Sequence, residues 1–169
     1  MKGVYPGGTN PAIIHLTGTI ISWWARIEGV MIFDIWPLRS QAFSAEISAN
    51  ENFPTSGKDI IKQWRKLLVN AYGKEHSEVI KIEAAKSEAL TLIDHRNSLV
   101  HSFWPYGQVD QQRLELHWVR RADRQPNGVS LGTYSKSIEE LDEINDRLAS
   151  LYTKVMAISF NSHRLYIEK

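Results

Sequence analysis

There is no cysteine anywhere in the 169 residues, which removes disulfides, thiolate nucleophiles and cysteine-based zinc sites from the available chemistry. Charge of one sign is also lacking in excess: 20 Lys and Arg stand against 19 Asp and Glu. Whole-chain electrostatics therefore neither demand nor exclude a polyanion, and any nucleic-acid affinity has to come from a local patch. Long uncharged apolar runs are missing too. The most apolar segment, "AIIHLTGTIISWWARIEGVMIFDIW", is interrupted by His15, Arg26, Glu28 and Asp34, leaving pieces far shorter than the roughly 20 residues a membrane helix needs. The opening "MKGVYPGGTNP" carries one lysine and then turn formers, so it reads as a short irregular lead rather than a signal peptide. The expectation is a cytoplasmic chain with no membrane partner. Internal repeats and low-complexity tracts are absent, and "PTSGKDI" lacks the glycine spacing of a phosphate loop.

What is present is enough apolar content, 43%, to bury one core. The expectation is a single domain over residues 1–169, with 1–11 as the lead. Leu16, Ile20, Trp23, Trp24, Ile27 and Met31 recur at helical spacing, predicting a helix over about 12–35 that Pro37 ends. After a polar loop, Ser56 is placed to cap a second helix, "KDIIKQWRKLLVNAYG". There Ile60, Trp64, Leu67, Leu68 and Ala71 form the apolar side, and Gly73 sits where a C-terminal cap belongs. A third helix is predicted over about 75–100. "QRLELHWVRR" and "NGVSLGTYS" alternate apolar with polar residues, predicting a β-hairpin over about 112–135 joined by "ADRQPNG". Ser137 and Glu140 form a capping box for a last long helix, with Ile138, Leu141, Ile144, Leu148, Leu151, Val155 and Ile158 on one face. The fold class is mainly α: an up-down four-helix bundle with a small β-hairpin inserted before the last long helix. Trp23, Trp24, Trp64 and Trp118 lie on apolar stripes and read as core or interface residues.

One residue does not suit this plan. On the third helix Ile82, Ala85, Ala89, Leu92, Ile93, Leu99 and Val100 cluster on one side, and Arg96 projects from the middle of that cluster. Asp94, Asn97 and His101 gather on a neighbouring edge, with His95 beside them. Burying a guanidinium without partners costs several kcal/mol. Either a carboxylate meets it, with Glu28 of the first helix the first candidate, or the face opens onto a groove or a second subunit. The alternative for the pair is a buried ion pair at Arg96 and a histidine at a helix C-terminus, where a cation interacts favourably with the helix dipole. Arg113, Arg120, Arg121 and Arg124 concentrate positive charge on the hairpin, which suits either an arm tracking phosphates or a strand edge kept soluble. His15, His76, His117 and His163 show no pairing at metal-ligand spacing, so no metal and no cofactor is expected.

The segment "RNSLVH", residues 96–101, is an arginine followed directly by asparagine and, after three more residues, by histidine. It ends a bundle helix and precedes a small β insertion and a long final helix. In this the chain resembles the HEPN superfamily, whose ribonucleases carry Arg, four to six residues, then His, commonly with Asn after the Arg. The six residues are the specific part of the resemblance, and from about 12 to 162 it is architectural. It implies a HEPN-like bundle and a metal-independent endoribonuclease acting as a homodimer, with RNA as substrate and an antitoxin or regulatory protein as a further partner in toxin-antitoxin or phage-defence settings. It implies that His101 acts as acid and base, that Arg96 stabilises charge on the scissile phosphate and that Asn97 orients the pair. Beside these, Asp94 either orients His101 or sits in water, and His95 is either a surface histidine or a contact to RNA. In relatives neutralised by a nucleotidyltransferase a tyrosine stands two residues after the histidine. Here that position holds Phe103, with Tyr106 nearby, so neutralisation by that route is not expected. Some relatives keep the fold as inactive adaptors, and a catalytically silent binding module or structural dimer is the alternative.

The chemistry suits those roles on its own terms. An imidazole exchanges protons near neutral pH and contributes roughly 10²- to 10⁴-fold to a rate. A guanidinium stays charged and offers a planar fork to phosphate oxygens. Residues five apart on a helix point about 140° away from each other, so a site drawn from two chains presents the pair better than one.

Overall fold

The computed structural model describes residues 10–42, 54–102, 112–121 and 129–167, the side chains of 39–42, 118–121, 129–131 and 164–167 excepted. The expected lead before residue 10, the joining segment 122–128, and Phe103, Trp104, Tyr106 and Arg124 lie outside these residues. The elements are helix α1 (Pro11–Ala42), α2 (Gly57–Tyr72) and α3 (Glu78–His101), strands β1 (Arg113–Arg121) and β2 (Val129–Ser137), and helix α4 (Ile138–Ile167). The described chain is thus mainly helical with a two-stranded antiparallel sheet. It groups into two compact units, Met1–Ser22 with Asp94–Arg147, and Trp23–Ile93 with Leu148–Lys169.

In the first unit the hairpin follows from its alternation. Leu114 and Leu116 are fully buried while Glu115 and His117 are exposed, so the period of two sets one face of β1 inward. The register pairs Leu114 with Lys136 and Leu116 with Tyr134. A slip by one residue would exchange the leucines for Glu115 and His117. Ile13, Ile20, Leu99, Leu141 and Ile144 complete the buried apolar set, at roughly 1.5–3 kcal/mol for each fully buried side chain. The start of α4 carries the predicted capping box: the Glu140 amide donates to Ser137 Oγ at 3.2 Å, and the Ser137 amide donates to Glu140 Oε2 at 2.8 Å. Two orphan amides are satisfied reciprocally. Lys136 and that backbone amide, both donating to Glu140, hold its carboxyl below the ordinary carboxylate range.

In the second unit Ser56 caps α2 by accepting the Asp59 amide, and Gly73 ends it at φ 88, its amide donating to the Val69 carbonyl. Only glycine adopts that backbone angle without strain. The buried side of α2 is Ile60, Ile61, Trp64, Leu68 and Val69. Leu67 is half-buried and Ala71 is exposed: Ala71 shares the face of Ile60 and Trp64 but stands in the last turn of α2, one residue before the helix ends. Likewise Val100, expected in the apolar cluster of α3, is 42% exposed. Trp24 and Trp64 are buried as expected, and Trp23 is half-buried.

The largest departure is at Pro37, which lies inside α1 rather than ending it. A mid-helix proline removes one backbone hydrogen bond and crowds the carbonyl four residues earlier, at about 3 kcal/mol. Ile35 and Leu38 on either side are both buried. Their burial outweighs a local preference that the sequence pattern alone had favoured.

Candidate functional site

The sequence motif occupies the last two turns of α3, in the first unit. Arg96 and Asn97 are half-buried and His101, the final helical residue, is exposed. Arg96 Nη1 donates to Asn97 Oδ1 at 3.1 Å. The guanidinium therefore meets a neutral carboxamide beside it and remains reachable from solvent. Asp94 is exposed, and its main-chain carbonyl accepts the Ser98 hydroxyl at 2.9 Å. Asp94, Asn97 and His101 follow one another at three- and four-residue spacing, which keeps them on one edge of the helix. His101 and Arg96, five residues apart, diverge.

His95 is not a free surface histidine. It is half-buried, its Nδ1 lies 3.2 Å from the Tyr134 hydroxyl of β2, and the two rings meet edge to face with centroids 5.9 Å apart. Burial, and then the nearby Lys136 and Arg147, push the His95 pKa below its ordinary 6.5, against the opposing pull of Asp94 and Glu140. Burial likewise pushes the Tyr134 phenol well above its ordinary range. The pair is thus a neutral hydrogen-bonded contact between hairpin and helix.

Glu28 is half-buried in the second unit. A Cβ built on Gly57 would come within 2.6 Å of Glu28 Oε1 and of Ile93 Cδ1, so Glu28 packs against the start of α2. Arg113 is exposed and bonded at the base of the hairpin, its Nε donating to Ser135 Oγ at 3.2 Å and its Nη2 lying 3.6 Å from Glu140 Oε2. Arg120 and Arg121 belong to β1 by their backbone.

One polar cluster escaped the sequence reading. Asp34, 1% exposed, accepts Trp64 Nε1 on Oδ2 at 2.8 Å and the Ser159 hydroxyl on Oδ1 at 2.5 Å. His163 Nε2 approaches the same Oδ1 at 3.3 Å, and the His163 ring packs on Phe33 with centroids 5.3 Å apart. Burial raises the Asp34 pKa from its ordinary 3.8, more than the bonds from Ser159 and Trp64 and the nearby His163 lower it. Because Ser159 donates to the carboxylate and not to the histidine, the trio is not a nucleophile with its base. Among the described residues no three His, Asp or Glu side chains form a metal-holding group, and no helix is long and apolar enough to cross a membrane. Scans of the chain against protein-family models, curated proteins and solved structures each found no match.

Proposed function

We propose that this chain is a metal-independent endoribonuclease of HEPN type, working as a cytoplasmic homodimer that leaves 2',3'-cyclic phosphate and 5'-hydroxyl ends. The observation that supports this reading is the state of the motif. Among the described residues the half-buried Arg96 bonds sideways to Asn97 and meets no carboxylate, while His101 stands exposed at the helix end. A guanidinium of purely structural use would be dry and matched to a carboxylate.

In the proposed reaction the ribose 2'-oxygen attacks the adjacent phosphorus as a general base removes its proton, and the 5'-oxygen leaves with a proton from a general acid. His101 is suited to these transfers. Arg96 stabilises the charge that builds on the non-bridging oxygens, where its planar fork matches two acceptors at once. Asn97 fixes the guanidinium from one side. Because Arg96 and His101 diverge on one helix, the complete site takes groups from two chains across a dyad. A regulatory or antitoxin protein would act by covering that shared edge.

The test is incubation of total RNA with the protein in EDTA, comparing wild type with His101→Ala and Arg96→Ala. Wild type is expected to cut, and each variant to lose roughly 10²- to 10⁴-fold in rate, the ordinary worth of acid-base help. Absence of cleavage by wild type overturns the proposal in favour of the adaptor reading, and equal cleavage by His101→Ala overturns the role given to the motif.

A further inference from the structure

The second unit holds an open groove of about 510 Å³ between α1 and α4, none of whose lining residues belongs to the motif. Its walls are Phe33, Tyr152, Met156 and Phe160, and its polar groups are Arg26, Ser159 and His163. Sites for small organic ligands occupy roughly 300–1,000 Å³ and combine apolar walls with a few fixed polar groups. This groove meets both conditions.

Two features argue that the lining is held ready. Arg26 lies over the face of Trp23, its Cζ 4.9 Å from the ring centroid, and Trp23 packs against Tyr152 at 5.4 Å. A guanidinium stacked on an indole keeps its donor edge available to an oxyanion. His163 is set between the Phe33 ring and buried Asp34, which also orients Ser159. Among the described lining residues there is a permanent cation and no carboxylate. Meanwhile Phe33 and Phe160 are 64% and 62% exposed, an apolar surface larger than an isolated exposed residue requires.

We infer that this groove binds a small aromatic anion, its flat ring between Phe33 and Phe160 and its acidic group on Arg26. Charge selects the occupant. A neutral aromatic would gain the same apolar contacts but nothing from Arg26, and a cation would meet repulsion there.

The probes are 1-anilinonaphthalene-8-sulfonate and N-phenyl-1-naphthylamine, which share a ring system and differ by the sulfonate. In fluorescence titrations the sulfonate is expected to bind once per chain and more tightly than the neutral dye. Arg26→Gln is expected to weaken the sulfonate about tenfold and leave the neutral dye within about twofold, the loss of one charge-assisted contact. Phe160→Ser is expected to weaken both dyes. Because Arg26 and Phe160 are surface residues, these variants leave the core intact, and Val30→Trp, which fills the groove, gives an independent check by abolishing both signals. Equal affinity for the two dyes, no effect of Arg26→Gln on the sulfonate, or sedimentation showing that a second copy covers this face and excludes the dye would each overturn the inference.

Discussion

Replacing Asp34 separates the value of its hydrogen bonds from the cost of its charge. In Asp34→Ala, Trp64 Nε1 and the Ser159 hydroxyl, bonded at 2.8 and 2.5 Å, lose their acceptor inside the protein. Each orphaned buried donor costs about 1–3 kcal/mol, so the variant is expected to lose about 2–6 kcal/mol before any cavity contribution. Asp34→Asn keeps an acceptor for Trp64 and offers its amide to the Ser159 oxygen, while removing a charge that burial disfavours. It is therefore expected to match or exceed wild type at pH 7. The pH dependence carries the sign. The folded pKa of Asp34 is raised above its ordinary 3.8, so the native state holds a proton that the unfolded chain has released. Wild-type stability from this group is full below 3.8 and falls as pH rises through the folded value, by at most about 1.4 kcal/mol per pH unit. The asparagine variant has no such loss, and its advantage should grow upward from pH 4 and then level off. Urea titrations of both proteins at pH 4, 5, 6 and 7, followed by tryptophan fluorescence, measure this. An advantage that shrinks with rising pH, or an asparagine variant clearly less stable at pH 7, would show that attraction between the carboxylate and His163 outweighs burial.

Pro37→Ala is expected to raise stability by about 1–3 kcal/mol, since it restores a helical amide and relieves the crowding around it; thermal melting by circular dichroism reports it. Gly57→Ala is expected to lower stability by roughly 1 kcal/mol, because overpacking against Glu28 and Ile93 exceeds the gain in helix propensity, and a fall in melting temperature is the readout. His95 titrates below 6.5 in the native state, so the unfolded chain binds its proton first and stability declines as pH drops below 6.5. His95→Gln should flatten that decline in urea titrations between pH 7 and 5.

Local features were legible because their partners lie close in the chain. The Ser137–Glu140 box, the Ser56 cap and the Gly73 stop each span three or four residues, and the Leu114 and Leu116 alternation needs only its own strand. Pro37 was misread because its penalty is local while the compensating burial of Ile35 and Leu38 is tertiary. Asp34 was read only as an interruption of an apolar run, for its partners Trp64 and Ser159 stand 30 and 125 positions away. At the motif, helical spacing placed Asp94, Asn97 and His101 together. It carried no sign that Tyr134, 39 residues on, would hold His95.

The span from Asp34 to Ser159 also orders events during folding. Trp64 can reach the carboxylate by closing a short loop, but Ser159 reaches it only after most of the chain has been gathered in. Until then the acid faces water and ionises as an ordinary aspartate. When water leaves, burial raises the carboxylate's proton affinity by more than the Ser159 and Trp64 bonds lower it. At mildly acidic pH the closing step therefore draws protons from solution, and a weakly buffered dye would register it as a lasting alkaline step.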